Sequence, residues 1–141
     1  MRLMTREEWR AFLSGGTRTA KLALTRRDGQ PFVVPVWFVL EGDDLLFTTG
    51  ASSLKARVLA RDPRVAVCVD LEEPPFAYVA IQGRASVTDD MAELRRVATL
   101  VGGRYMGQER AEEFGARNAV PGEVAVRITP LRVTAQDAIA D

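Results

Sequence analysis

Residues 31–40, "PFVVPVWFVL", form a strand-like run that is apolar on both parities. Side chains of a strand alternate across its two faces, so Phe32, Val34, Val36 and Phe38 share one face. Val33, Pro35, Trp37 and Val39 share the other. Antiparallel strands normally leave one face to water, whereas this one requires cover on both. Pro35 has no N–H to give to a ladder, which places it at a sheet edge or a bulge. A chain of 141 residues reads as one domain, 1–141, with little material left for a second cover. A partner subunit is therefore expected on that face.

The rest of the chain supplies five more strands. "TAKLALT" alternates Ala20, Leu22 and Leu24 against Lys21, Ala23 and Thr25, and "RRDGQ" turns it back through Asp28-Gly29. "EGDD" leads into "LLFTT"; beyond a short helix come "VAVCVD", "FAYVAIQGRASV" and "EVAVRITPLRVTA". Three helical stretches accompany them. Thr5 and Glu8 fit a capping box ahead of Trp9, Phe12 and Leu13, closed by Gly15 and Gly16. Residues 52–61 form the second, stopped before Pro63. The third is capped by Thr88 or Asp89 and runs to about Val101, with a broken helical stretch after it. Six strands on short turns with inserted helices predict a mainly β antiparallel barrel.

What the chain lacks narrows its chemistry. It has no histidine and one cysteine, so a histidine base, a Ser-His-Asp triad and a zinc cluster are excluded. Neither GxGxxG nor GxxxxGK[ST] occurs. The 19 basic and 19 acidic residues balance, which argues against nucleic acid as a partner. No apolar run spans a bilayer and "MRLMTREEWR" has no signal-peptide core, so no membrane is expected and the cytoplasm is the default. Cys68, opposite in parity to Val65, Val67 and Val69, reads as a small packing residue. If this chain is an enzyme, a bound cofactor does the chemistry.

One segment suits such a cofactor. In "TTGASSLKARVLAR" the chain carries Lys55, one of two lysines among many arginines, in the first turn of a helix. Helix N-termini present free N–H groups and partial positive charge to anions. Gly50 allows close approach, Ser52 and Ser53 add hydroxyls, and Lys55 adds a mobile cation. Leu54 and Val58 face the core, while Arg57 and Arg61 share another face. The same residues also suit a solvated surface helix with a serine cap.

The order of these segments resembles the pyridoxamine 5'-phosphate oxidase-like split barrels, in particular the actinobacterial branch of F420-dependent oxidoreductases. The stretches that carry the resemblance are "RTAKLALTRRDGQPFVVPVWFVLEGDDLLFTTG", "SSLKARVLARDPRVAVCVD", "PPFAYVAIQGRASV", "RYMG" and "NAVPGEVAVRITPLRV". It implies a six-stranded antiparallel split β-barrel of the FMN-binding type, paired as a homodimer with cofactor grooves at the interface. It implies a cofactor phosphate on Ser52, Ser53, Lys55 and Arg57. Val34, Pro35, Val36 and Trp37 match the strand along the cofactor ring, and Phe47, Thr48 and Thr49 the strand leading to its tail. Phe76 and Tyr78 match positions that a partner subunit lends to the groove. Tyr105 and Asn118 fall in similar stretches and receive no role.

The expected activity is hydride transfer from reduced coenzyme F420 to a small conjugated or quinone-like acceptor, without a metal and with the catalytic side chains unknown. FMN is the alternative cofactor. A non-catalytic flavin or deazaflavin carrier is the alternative from outside the enzymes. Pyridoxamine-phosphate oxidation is disfavoured, because no separate set of cations is available for a substrate phosphate. Haem is disfavoured for want of histidine.

Overall fold

The doubly apolar run does not continue as one strand. In the computed structural model, which describes residues 1–141, it breaks at Trp37–Phe38 into β3 (Pro31–Val36) and β4 (Val39–Glu41). The other strands are β1 (Arg2–Leu3), β2 (Ala20–Thr25), β5 (Asp44–Gly50), β6 (Arg64–Leu71), β7 (Ala77–Thr88) and β8 (Glu123–Asp137). They pair in the order β3-β2-β6-β7-β8-β5-β4, all antiparallel, with β1 on the tail of β8. β3 and β4 thus stand at opposite ends of the path, although only two residues join them. The sheet must curl until its edges meet at that corner, and the result is a barrel.

Eight strands therefore replace the six expected. One arises because the long apolar run is cut in two, the other because Arg2 and Leu3 pair with Asp137 and Gln136. The edge position predicted from Pro35 is that of β3. Curvature is set partly between β7 and β8, whose register shifts between Gln82 and Gly83. A Cβ on Gly83 would stand 2.7 Å from the Thr129 carbonyl oxygen, so only glycine allows this approach opposite Pro130.

The barrel interior is filled from alternate positions of the long strands, including Leu22, Phe47, Val69, Ile81 and Ile128, and by Phe38 from the corner between β3 and β4. Helix α1 (Arg6–Ser14) adds Trp9 and Leu13 to this core, and α2 (Leu54–Arg61) adds Val58 and Leu59. The Thr5–Glu8 capping box opens α1 as the sequence predicts. Helix α3 (Met91–Met106) covers the outside of β5 and β8, where Leu94, Val97 and Val101 close over Leu46 and Ala125. It is capped by Asp90 and runs five residues past Val101. Gly102 and Gly103 do not end it; they are buried where α4 (Ala111–Asn118) crosses, with Phe114 against Gly102.

Helices thus cover one part of the barrel exterior. The outer face of β3-β2-β6-β7 has no cover within the chain: Val33 of β3 is 65% exposed, and Leu131 on the adjoining β8 is 67% exposed. Ala23, Ala66, Ala80 and Cys68 line a shallow depression there of about 280 Å³. No helix is long and apolar enough to cross a membrane.

Candidate functional site

Where the barrel corner passes the start of α2, the chain forms a groove of about 350 Å³. Pro35, Val36 and Trp37 line it from the end of β3 and the corner. Thr48 and Thr49 come from β5, Lys55 from α2, Val101 from α3 and Asn118 from the end of α4. Six of these eight were expected to bind cofactor; Val101 and Asn118, from α3 and α4, were not. A helical wall is hard to read from sequence because neither α3 nor α4 carries a polar motif aimed at a ligand.

The N-terminus of α2 is built locally. Gly50–Ser53 closes a turn through the Ser53 N–H bond to the Gly50 carbonyl, 3.0 Å long. Ser53 is the N-cap: its hydroxyl oxygen accepts from the Ala56 N–H at 3.2 Å and lies 3.1 Å from the Thr49 hydroxyl. Lys55 follows in the first turn and is half-buried. The two lysines differ in their partners. Lys21 is bonded to Asp70 at 3.0 Å, whereas Lys55 has no carboxylate within ion-pair distance. No acidic residue occupies the first turn of α2 to neutralise its positive end.

Other expected site residues lie elsewhere. Phe47 is 1% exposed in the barrel core, so its side chain supports the β5 wall from behind and does not line the groove. Val34 faces the interior opposite Leu22 and is not part of the lining. Ser52 and Arg57 are exposed and stand outside it. Phe76 and Tyr78 belong to a different depression, shared with Cys68 and Asp70. There the Tyr78 hydroxyl donates to Gln136 at 3.2 Å. Burial, aided by Asp70, pushes the Cys68 thiol up, which disfavours a reactive thiolate.

The residue with most bonds near the groove is one that the sequence did not disclose. Arg104, in the last turn of α3, donates to the carbonyl oxygens of Leu13, Gly15, Gly16 and Phe38. Helix α1 has no basic residue in its own last turn, and Arg104 supplies that positive charge from across the fold. The missing basic residue was the available signal. Burial lowers the tendency of Arg104 to hold its proton, so the carbonyl dipoles compensate a real desolvation cost.

Within one chain the groove lining holds no carboxylate, thiol or imidazole. It offers a free cation, hydroxyls, a helix N-terminus, an amide and an exposed indole. Such a set can bind a planar ring with an anionic tail; for acid–base or nucleophilic chemistry it offers only the Lys55 amine and the threonine hydroxyls. An antiparallel barrel of this kind, with a groove at its corner, defines a class of flavin-type cofactor-binding proteins. Residues 5–137 match the pyridoxamine 5'-phosphate oxidase family, and the chain belongs to it.

No curated protein matches the chain. Among solved structures, it is similar to a conserved hypothetical protein from Mycobacterium tuberculosis, with 28% identity and a TM-score of 0.86. That match covers 96% of this chain and 86% of the other. An F420 reductase shares 23% identity at a TM-score of 0.66, over 87% of this chain and 94% of its own. An FAD-binding protein from Mesorhizobium loti shares 23% identity at 0.70, over 95% of both chains. The last two likenesses concern the fold.

Proposed function

We propose that this protein is an oxidoreductase that uses reduced coenzyme F420 to deliver a hydride to a small conjugated or quinone-like acceptor. The observation that carries this reading is an unpaired lysine at a helix N-terminus and an exposed tryptophan in one groove that otherwise lacks catalytic side chains. Lys55, the Thr48 and Thr49 hydroxyls and the first N–H groups of α2 would hold the phosphate. Pro35, Val36 and Trp37 would bear on the ring, with Val101 and Asn118 closing the helical side. When bound, the deazaflavin supplies the hydride chemistry. The residues named bind, orient and exclude water.

The same phosphate clamp suits a flavin, and the FAD-binding protein of similar fold favours FMN or a related flavin as the second reading. The reading includes a homodimer. Pairing across the uncovered outer face of β3-β2-β6-β7 would bury Val33 and provide the route by which Phe76 and Tyr78 reach a partner's groove. Titration of the purified protein with F420 and FMN, each oxidised and reduced, tests the assignment by fluorescence, followed by turnover with a quinone. F420 is expected to bind more tightly and its reduced form to be consumed. FMN binding tenfold or more tightly would replace F420 with the flavin reading, and binding without turnover would indicate a carrier.

A further inference from the structure

We infer that Tyr105 is a positioning residue that fixes the Trp37 ring in the groove wall, an inference that rests on the cofactor reading above. Trp37 and Phe38 occupy the corner between β3 and β4, outside both ladders. Sheet pairing therefore leaves the corner backbone without its usual partners, and Phe38 is fully buried, where unpaired polar groups are costly. Two consecutive residues of α3 replace the ladder. The Phe38 N–H donates to the Tyr105 hydroxyl at 3.2 Å, and the Phe38 carbonyl accepts from Arg104 at 2.7 Å.

The Tyr105 hydroxyl also donates to the Arg18 carbonyl at 2.9 Å, so its ring is held at the phenol end as well as by its helix. Against that ring lies Trp37, stacked with centroids 4.9 Å apart and planes within 1° of parallel. Trp37 keeps 44% of its surface exposed and lines the groove. One indole face is occupied by Tyr105, and the exposed part is available to a flat ligand ring. A platform held in place beforehand spares the ligand the cost of ordering it.

The experiment compares wild type, Tyr105→Leu and Tyr105→Phe by two readouts. Acrylamide quenching of the ligand-free protein reports Trp37, because the other tryptophan, Trp9, is 8% exposed. Titration with F420 and with FMN reports the site, and far-UV circular dichroism confirms the fold. Tyr105→Leu should raise quenching and weaken cofactor binding roughly three- to tenfold, the cost of ordering one side chain. Tyr105→Phe retains the stacking ring but loses both hydroxyl bonds, so quenching and affinity should fall between those of wild type and Tyr105→Leu. Wild-type quenching in Tyr105→Leu overturns the inference, as does raised quenching with unchanged cofactor affinity. Failure of the wild type to bind either cofactor overturns the cofactor reading itself, and with it this role for Tyr105; normal wild-type binding with unaffected variants overturns the role alone.

Discussion

Replacing Arg104 by methionine should destabilise the protein more than any single change at an exposed charge. Arg104 donates to four carbonyl oxygens, at 2.7 Å to Phe38, 2.8 Å to Leu13, 3.1 Å to Gly16 and 3.2 Å to Gly15. Gly15 and Gly16 lie near solvent, and water can take over much of their bonding. Leu13 and Phe38 are fully buried, and their carbonyls would lose a charge-assisted partner without an easy substitute. Counting about 1.5–2 kcal/mol for each buried acceptor gives a loss of about 3–4 kcal/mol. Methionine keeps most of the apolar stem, so the cavity contribution is small. Arg104→Lys retains the charge but not the fork of donors, and should lose about half as much. Urea denaturation measures this directly: the midpoint should fall with an unchanged slope, and Tm should drop by roughly 10–15 °C for Arg104→Met. A loss below about 1 kcal/mol would refute the claim that this residue pins α1 and the barrel corner to α3.

Gly102→Ala should cost about 1–3 kcal/mol in the same assay despite alanine's better helix propensity, because its Cβ would overlap the Phe114 Cβ across the α3–α4 crossing. The Arg96 and Arg127 guanidiniums hold the Glu41 carboxyl down at about 2, against an ordinary 4.5. Its contribution to stability is thus fully present above about pH 4.5 and is lost as pH falls toward about 2, so Glu41→Gln should flatten the decline of Tm over that acid window. Light scattering at micromolar concentration should give the mass of a dimer, and a monomer mass would contradict the expected pairing across the uncovered face.

Much of the fold was legible because its signals are local. Thr5 and Glu8 cap α1, period-two alternation marks β2, β6 and β7, and Pro63 follows the end of α2. The corner at Trp37–Phe38 was not legible, since a strand run apolar on both faces looks the same whether it is straight or broken. Its double apolarity has two separate causes: Val39 packs under α3, whereas Val33 stays uncovered. The helix expected to stop near Val101 continues to Met106, because the crossing of α4 over Gly102 is not visible in sequence. For the site, Lys55, Thr48, Thr49, Pro35, Val36 and Trp37 do converge on one groove. Phe47 illustrates the limit: strand membership was read correctly, but its side chain points into the barrel, because alternation along β5 places it with Leu45 inside.

Lys55 is a cation without a carboxylate partner in the first turn of α2, facing the groove. The decisive measurement is the dissociation constant of F420, and of FMN, for wild type, Lys55→Ala and Arg61→Ala. Arg61 lies at the far end of α2 and bonds to the Thr25 carbonyl at 3.0 Å, outside the groove. Loss of a charge-assisted phosphate contact in Lys55→Ala should weaken binding about ten- to a hundredfold, equivalent to roughly 1.5–3 kcal/mol, with Tm unchanged. Arg61→Ala should bind nearly as the wild type does. Equal affinity in wild type and Lys55→Ala would contradict the account, because Lys55 would then be a solvated charge and the groove would have lost its anion anchor.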